Sequence, residues 1–140
     1  MNLGVWVRSF AHRNLRSATL YSNVEHLDTK PEIPLRSEET LIGVYSNSSD
    51  SIFEVIGITD CGLHINSKNG WRWVPYGDIC TSHLPEKLKE PPFLPEHLDI
   101  ELCNGEFVRL PIRGRSGDEG QFSDVYRFEG FLSGISRVMT

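Results

Sequence analysis

Leu98-Asp-Ile-Glu-Leu-Cys-Asn-Gly-Glu-Phe-Val-Arg-Leu-Pro-Ile112 decides the fold class. Leu98, Ile100 and Leu102 alternate with Asp99 and Glu101, the period of a strand with one buried face. Asn104-Gly105 supplies a turn, after which Val108, Leu110 and Ile112 share a face of the next strand. The two strands thus bury a common apolar surface as one hairpin. Downstream, Val125, Phe128, Leu132, Ile135 and Met139 recur at spacings of three and four, so a terminal helix packs one face on the sheet. Ser123 is the expected cap of that helix, with Asp124 in its first turn. Residues 113–122, with Gly114, Gly117 and Gly120, read as a loop.

Upstream, the period of two continues. Residues 40–46 and 52–59 read as a hairpin around the polar loop Asn47 to Ser51. Asp60-Cys-Gly62 is a turn, Leu63 to Ser67 a strand, Asn69-Gly70 a type I′ turn, and Trp71 to Tyr76 the next strand. Residues 84–96 hold Pro85, Pro91, Pro92 and Pro95 and read as an exposed irregular loop. Toward the N-terminus, Lys30-Pro-Glu-Ile-Pro34 is a linker, because its prolines remove backbone donors and bias their predecessors away from helix. Before it, Leu3, Val7, Phe10, Ala11, Ala18 and Tyr21 cluster on one side at helical spacing, although Leu3 to Val7 also suits a short strand. The expected organisation is an N-terminal extension over residues 1–36 and one domain over residues 37–140.

Composition bounds the function. The chain has 140 residues, 39% hydrophobic and 24% charged, the balance of one globular domain. With 14 basic and 19 acidic residues its net charge is −5, which argues against a general nucleic-acid binder. No apolar run approaches the roughly 18 residues of a membrane span. Residues 1–36 hold five basic and three acidic groups, leaving nine and 16 for the rest, so the first part is +2 and the remainder −7. Residues 1–24 contain Arg8, Arg13 and Arg16 without any acid. Three cysteines with no C-x-x-C pair point away from a secreted disulfide scaffold and toward a reducing compartment, the cytoplasm.

Ile58-Thr-Asp-Cys-Gly-Leu-His-Ile65 and Trp73-Val-Pro-Tyr-Gly-Asp-Ile79 resemble two elements of bacterial pleckstrin-homology-like (PH-like) and GRAM-like domains. The resemblance implies a mainly β (α+β) fold, a bent antiparallel sheet or partly open barrel capped by a C-terminal helix. From the residues themselves, Thr59 and Asp60 can bond the following turn, and Gly62 can take a positive φ. Phosphoinositide-binding members carry several Lys or Arg in the first hairpin loop. Here that loop, Asn47 to Ser51, has no cation, so a headgroup site is not expected there.

Cys61-Gly-Leu-His64 and Cys80-Thr-Ser-His83 form two C-x-x-H pairs that could supply zinc with two thiolates and two imidazoles. Residues three apart on a strand point to opposite faces, however, so each pair converges only within a turn. The competing reading buries both cysteines and exposes both histidines, with no metal and no cofactor. Gly114 to Gly120 lacks phosphate-loop spacing and carries Asp118 and Glu119. Ser116 and Ser133 lack the sequence context of a nucleophile, and Glu38 and Glu39 read as solvated residues at the start of a strand. No constellation for an enzyme emerges. Trp71 and Trp73 share one face of their strand with Arg72 opposite: inward they are core, outward a patch for a protein partner. The expected function is non-enzymatic binding of a protein through Trp71, Arg72 and Trp73 or through a free sheet edge, as in an immunity or accessory protein. Nucleic acid and membrane are not the expected partners. A peripheral membrane module using the basic N-terminal segment and a zinc-stabilised domain are the alternatives.

Overall fold

The computed structural model describes residues 3–18, 20–27, 32–47, 54–67, 69–83, 97–114 and 118–139. Helix α1 (Leu3–Phe10) continues into a π-helical turn (Ala11–Leu15) and leads to β1 (Tyr21–Asn23). Then follow β2 (Leu41–Ser46), β3 (Val55–Thr59), β4 (Gly62–Ser67), β5 (Gly70–Pro75), β6 (Ile79–His83), β7 (His97–Leu102), β8 (Phe107–Pro111) and α2 (Asp118–Met139). Two antiparallel sheets result, in the orders β1-β2-β3-β4-β5 and β6-β7-β8. The fold is α+β with a C-terminal helix, and neither sheet closes into a barrel. No helix among the described residues is long and apolar enough to cross a membrane.

The deciding hairpin pairs as its alternation requires, with Leu98 opposite Leu110 and Ile100 opposite Val108. Leu98, Ile100, Leu102, Val108, Leu110 and Ile112 all lie in the core, while Asp99 and Arg109 pair on the solvent face at 3.0 Å. Gly105 takes φ +89° in the turn, a conformation that glycine adopts without steric cost. Between β4 and β5 the turn spans Ser67 to Gly70, with Gly70 at φ +101°, one residue earlier than the expected Asn69-Gly70 turn. Helix α2 begins five residues before the expected cap at Ser123. Its Asp124 is buried and accepts the Tyr45 hydroxyl at 2.6 Å, linking β2 to the helix. The proline-rich stretch 84–96 and residues 48–51 of the first hairpin loop lie outside the described residues.

Residues 3–7 are helical rather than extended, and the N-terminal segment shares the core: Val7, Phe10, Ala11, Leu15 and Ala18 pack with α2 and the sheets. Gly130 and Gly134, one turn apart on α2, permit this approach. A β-carbon at Gly134 would stand 2.8 Å from the Phe10 ring, and one at Gly130 would stand 3.0 Å from Asn14 Oδ1. Replacing Gly134 with Val should therefore push α1 off α2, with a stability loss of about 1–3 kcal/mol in chemical denaturation. Unchanged stability would show that α1 does not seat on this residue.

Candidate functional site

The β2, β3 and β4 strands are buried on both faces, so the sheet has a second covered side beyond the core. Ile33, Arg36 and Glu39 of the segment 32–39 lie over β3, β5 and β4 on that side. Ile33 lies over Gly57, where a β-carbon would meet its Cδ1 at 2.8 Å, and the Arg36 guanidinium sits 5.5 Å from the centre of the Trp73 ring. Glu39 ends this strap with its carboxylate turned inward. His64 Nε2 lies 3.0 and 2.8 Å from the two carboxylate oxygens, and the side chains are only 2% and 1% exposed. Thr59 donates its hydroxyl to Glu39 Oε1, and the Arg36 N–H donates to Oε2 at 2.7 Å.

Local sequence explains this node. Thr59 ends β3, and its hydroxyl oxygen accepts the N–H groups of Cys61 and Gly62, each at 3.1 Å, which shapes the turn into β4. Asp60 accepts the Thr40 N–H at 2.9 Å, tying the same turn to the start of β2. Gly62 is needed here for space and not for a positive φ, because a β-carbon would meet Val74 O at 2.4 Å and the Trp73 ring at 2.7 Å. Trp73 in turn lies against the His64 ring, with centroids 4.5 Å apart. The Tyr76 hydroxyl donates to Thr59 O at 2.7 Å from the core side.

Trp71 and Trp73 do share a face, the outer one, and both are half-buried. Trp73 is fixed by Gly62, His64 and Arg36, whereas Trp71 lies opposite Asn66 near the turn. Arg72 points the other way and pairs with Glu106 in the turn between β7 and β8, which holds the Glu106 carboxyl below its usual range. Strand β5 ends its sheet, so one backbone edge faces away from β4 without a ladder partner among the described residues.

Several expectations are corrected. Glu39 is not solvated: its carboxylate is the centre of the node, and the strand begins only at Leu41. Glu38, by contrast, is exposed and takes φ +67° in the turn. The two C-x-x-H pairs do not converge. His64 is buried on Glu39, His83 is exposed beside Glu101 at 3.1 Å, and Cys80 is joined to Cys103 in a disulfide with a Cα separation of 5.0 Å. Cys61 is exposed, so the reading in which both cysteines are buried also fails. Burial and the neighbouring Asp60 push the Cys61 thiol upward, away from thiolate chemistry. No group of three metal-ligating side chains occurs among the described residues. The cytoplasmic expectation draws on an odd cysteine count without a C-x-x-C pair; two of the three cysteines, Cys80 and Cys103, are nevertheless joined, and disulfides persist mainly in oxidising compartments. Neither the strap nor the disulfide is legible in the sequence, since each joins residues about twenty or more positions apart.

Set against known proteins, the chain matches no family model, no curated protein and no solved structure.

Behind the site, burial holds three tyrosines protonated. Tyr21, whose hydroxyl is buried over Gly43 with no partner among the described residues, is pushed up to about 12. Tyr45 and Tyr76 are raised as well, first by burial. The unfolded chain ionises its tyrosines near pH 10, so this stabilisation is complete below pH 10 and lost as pH rises from there through about 12. Melting temperature should fall steeply above pH 10, and Tyr21→Phe should flatten the first part of that fall without destabilising the protein at neutral pH. A Tyr21→Phe profile identical to that of the parent would contradict this account.

Proposed function

We propose that this chain is a PH-like interaction module without enzymatic activity that binds a protein partner through β5. The observation that carries the reading is the position of β5. It closes the five-stranded sheet, its outer edge is unpaired among the described residues, and it bears half-buried Trp71 and Trp73 with Arg72 between them. An extended segment of a partner can add to such an edge, its main chain supplying hydrogen bonds while tryptophan faces supply contact area. The antiparallel order and the C-terminal helix on β6 and β7 support the PH-like reading. The node beneath Trp73 supports the binding role, since His64 and Glu39 saturate each other, Thr59 and the strap away from solvent. An immunity or accessory protein is the class of role such a module fits.

Trp71 separates recognition from folding better than Trp73, which braces Gly62, His64 and Arg36. Affinity capture from native extract should retain a partner on the parent chain, and Trp71→Ala should weaken that partner by about 2 kcal/mol, or about thirty-fold. Arg72→Glu should weaken it too. Melting curves close to that of the parent would assign the loss to the interface, whereas retention of the same partner by both variants would refute the proposed surface.

A further inference from the structure

Helix α1 buries Gly4, Val7 and Phe10 and turns Val5, Trp6 and Arg8 outward. Val5 is 58% exposed and Trp6 42%, an aliphatic and an indole side by side in solvent. Cations line the same segment. Trp6 stacks on Phe10 with centroids 6.0 Å apart, and the Arg13 guanidinium lies 5.6 Å from the Phe10 ring centre, so Trp6, Phe10 and Arg13 form one ladder. Arg16 follows, with Nη1 3.3 Å from His12 Nε2.

Three arginines elsewhere in the fold are tied to acids. Arg72, Arg109 and Arg113 each pair with a carboxylate, whereas Arg8, Arg13 and Arg16 form no ion pair among the described residues. The first acid in the sequence is Glu25, although the whole chain carries −5. Asp99 on β7 and Glu106 in the turn before β8 are locally compensated by Arg109 and Arg72. Screening at physiological salt confines charge effects to about 8 Å, so a surface approaching α1 meets its local cations rather than the net charge.

We propose that the outward face of α1 docks the protein on an anionic lipid bilayer. Trp6 and Val5 enter the boundary between headgroups and acyl chains, the region that indole rings favour, while Arg8, Arg13 and Arg16 meet lipid phosphates. An acid-free cationic stretch beside an exposed indole matches that surface in both charge and polarity. Docking through α1 uses none of the β5 residues, so it stands or falls separately from partner binding.

Co-sedimentation of the full chain tests it, with vesicles of phosphatidylglycerol and, separately, of phosphatidylcholine. The protein should pellet with the anionic vesicles at low salt, release as salt is raised, and remain in solution with phosphatidylcholine. Val5→Asp, at a site that is mostly exposed, should cut pelleting about ten-fold with an unchanged melting temperature, and Trp6→Ser should do the same while abolishing the blue shift of tryptophan emission. Paired Arg8→Glu and Arg13→Glu substitutions should abolish binding. Failure to pellet with phosphatidylglycerol, equal pelleting with both lipids, or loss through Trp71→Ala in place of the α1 variants would overturn the proposal.

Discussion

A single buried carboxylate organises the outer side of this protein. Glu39 arrives from a segment without regular secondary structure, yet its oxygens face His64, the Thr59 hydroxyl and the Arg36 amide with almost no exposure to water. A carboxylate in such a place is tolerated only when hydrogen bonds replace those it made to solvent. The strap over residues 32–39 is therefore held where those donors are, which places Ile33 over Gly57 and Arg36 over Trp73. In consequence Trp73 is a brace, whereas Trp71 lies opposite Asn66 near the end of the terminal strand.

Elements built from near neighbours were legible in the sequence. The hairpin of β7 and β8 announces itself through strict alternation and Asn104-Gly105, and the β3-β4-β5 meander follows from its turns. The apolar spacing of α2 also holds: Val125, Phe128, Leu132 and Ile135 are buried, although Met139 is exposed. Legibility ended where distant residues meet. Asp124 reads as a helix-terminal acid, but the Tyr45 hydroxyl from β2 draws it into the interior. Glu39 sits beside Glu38 in a polar run, and nothing in that run tells which of the two turns inward; the backbone at Glu38 and the donors on β3 and β4 decide it. Alternation on β3 and β4 is a poor guide to exposure for the same reason, since the strap lies over their second face at Gly57 and His64.

The N-terminal segment illustrates a further limit. Its helical spacing correctly assigned Val7, Phe10 and Ala11 to a buried face, but the surface that receives them depends on the paired glycines of α2. Once that contact is made, Val5 and Trp6 have nowhere to go but outward. The molecule thus presents two distinct faces, a terminal strand carrying tryptophans and a cationic helix carrying an exposed indole. Both are by-products of where the core is satisfied.

A double-mutant cycle between Glu39 and His64 tests the central constraint most directly. With Glu39→Ala, His64→Ala and the combined variant compared by chemical denaturation, the account predicts a coupling energy of about 1–3 kcal/mol, because either single change strands the other group in a dry site. Additivity within about 0.5 kcal/mol would contradict it and mean that the strap is held by something other than this carboxylate.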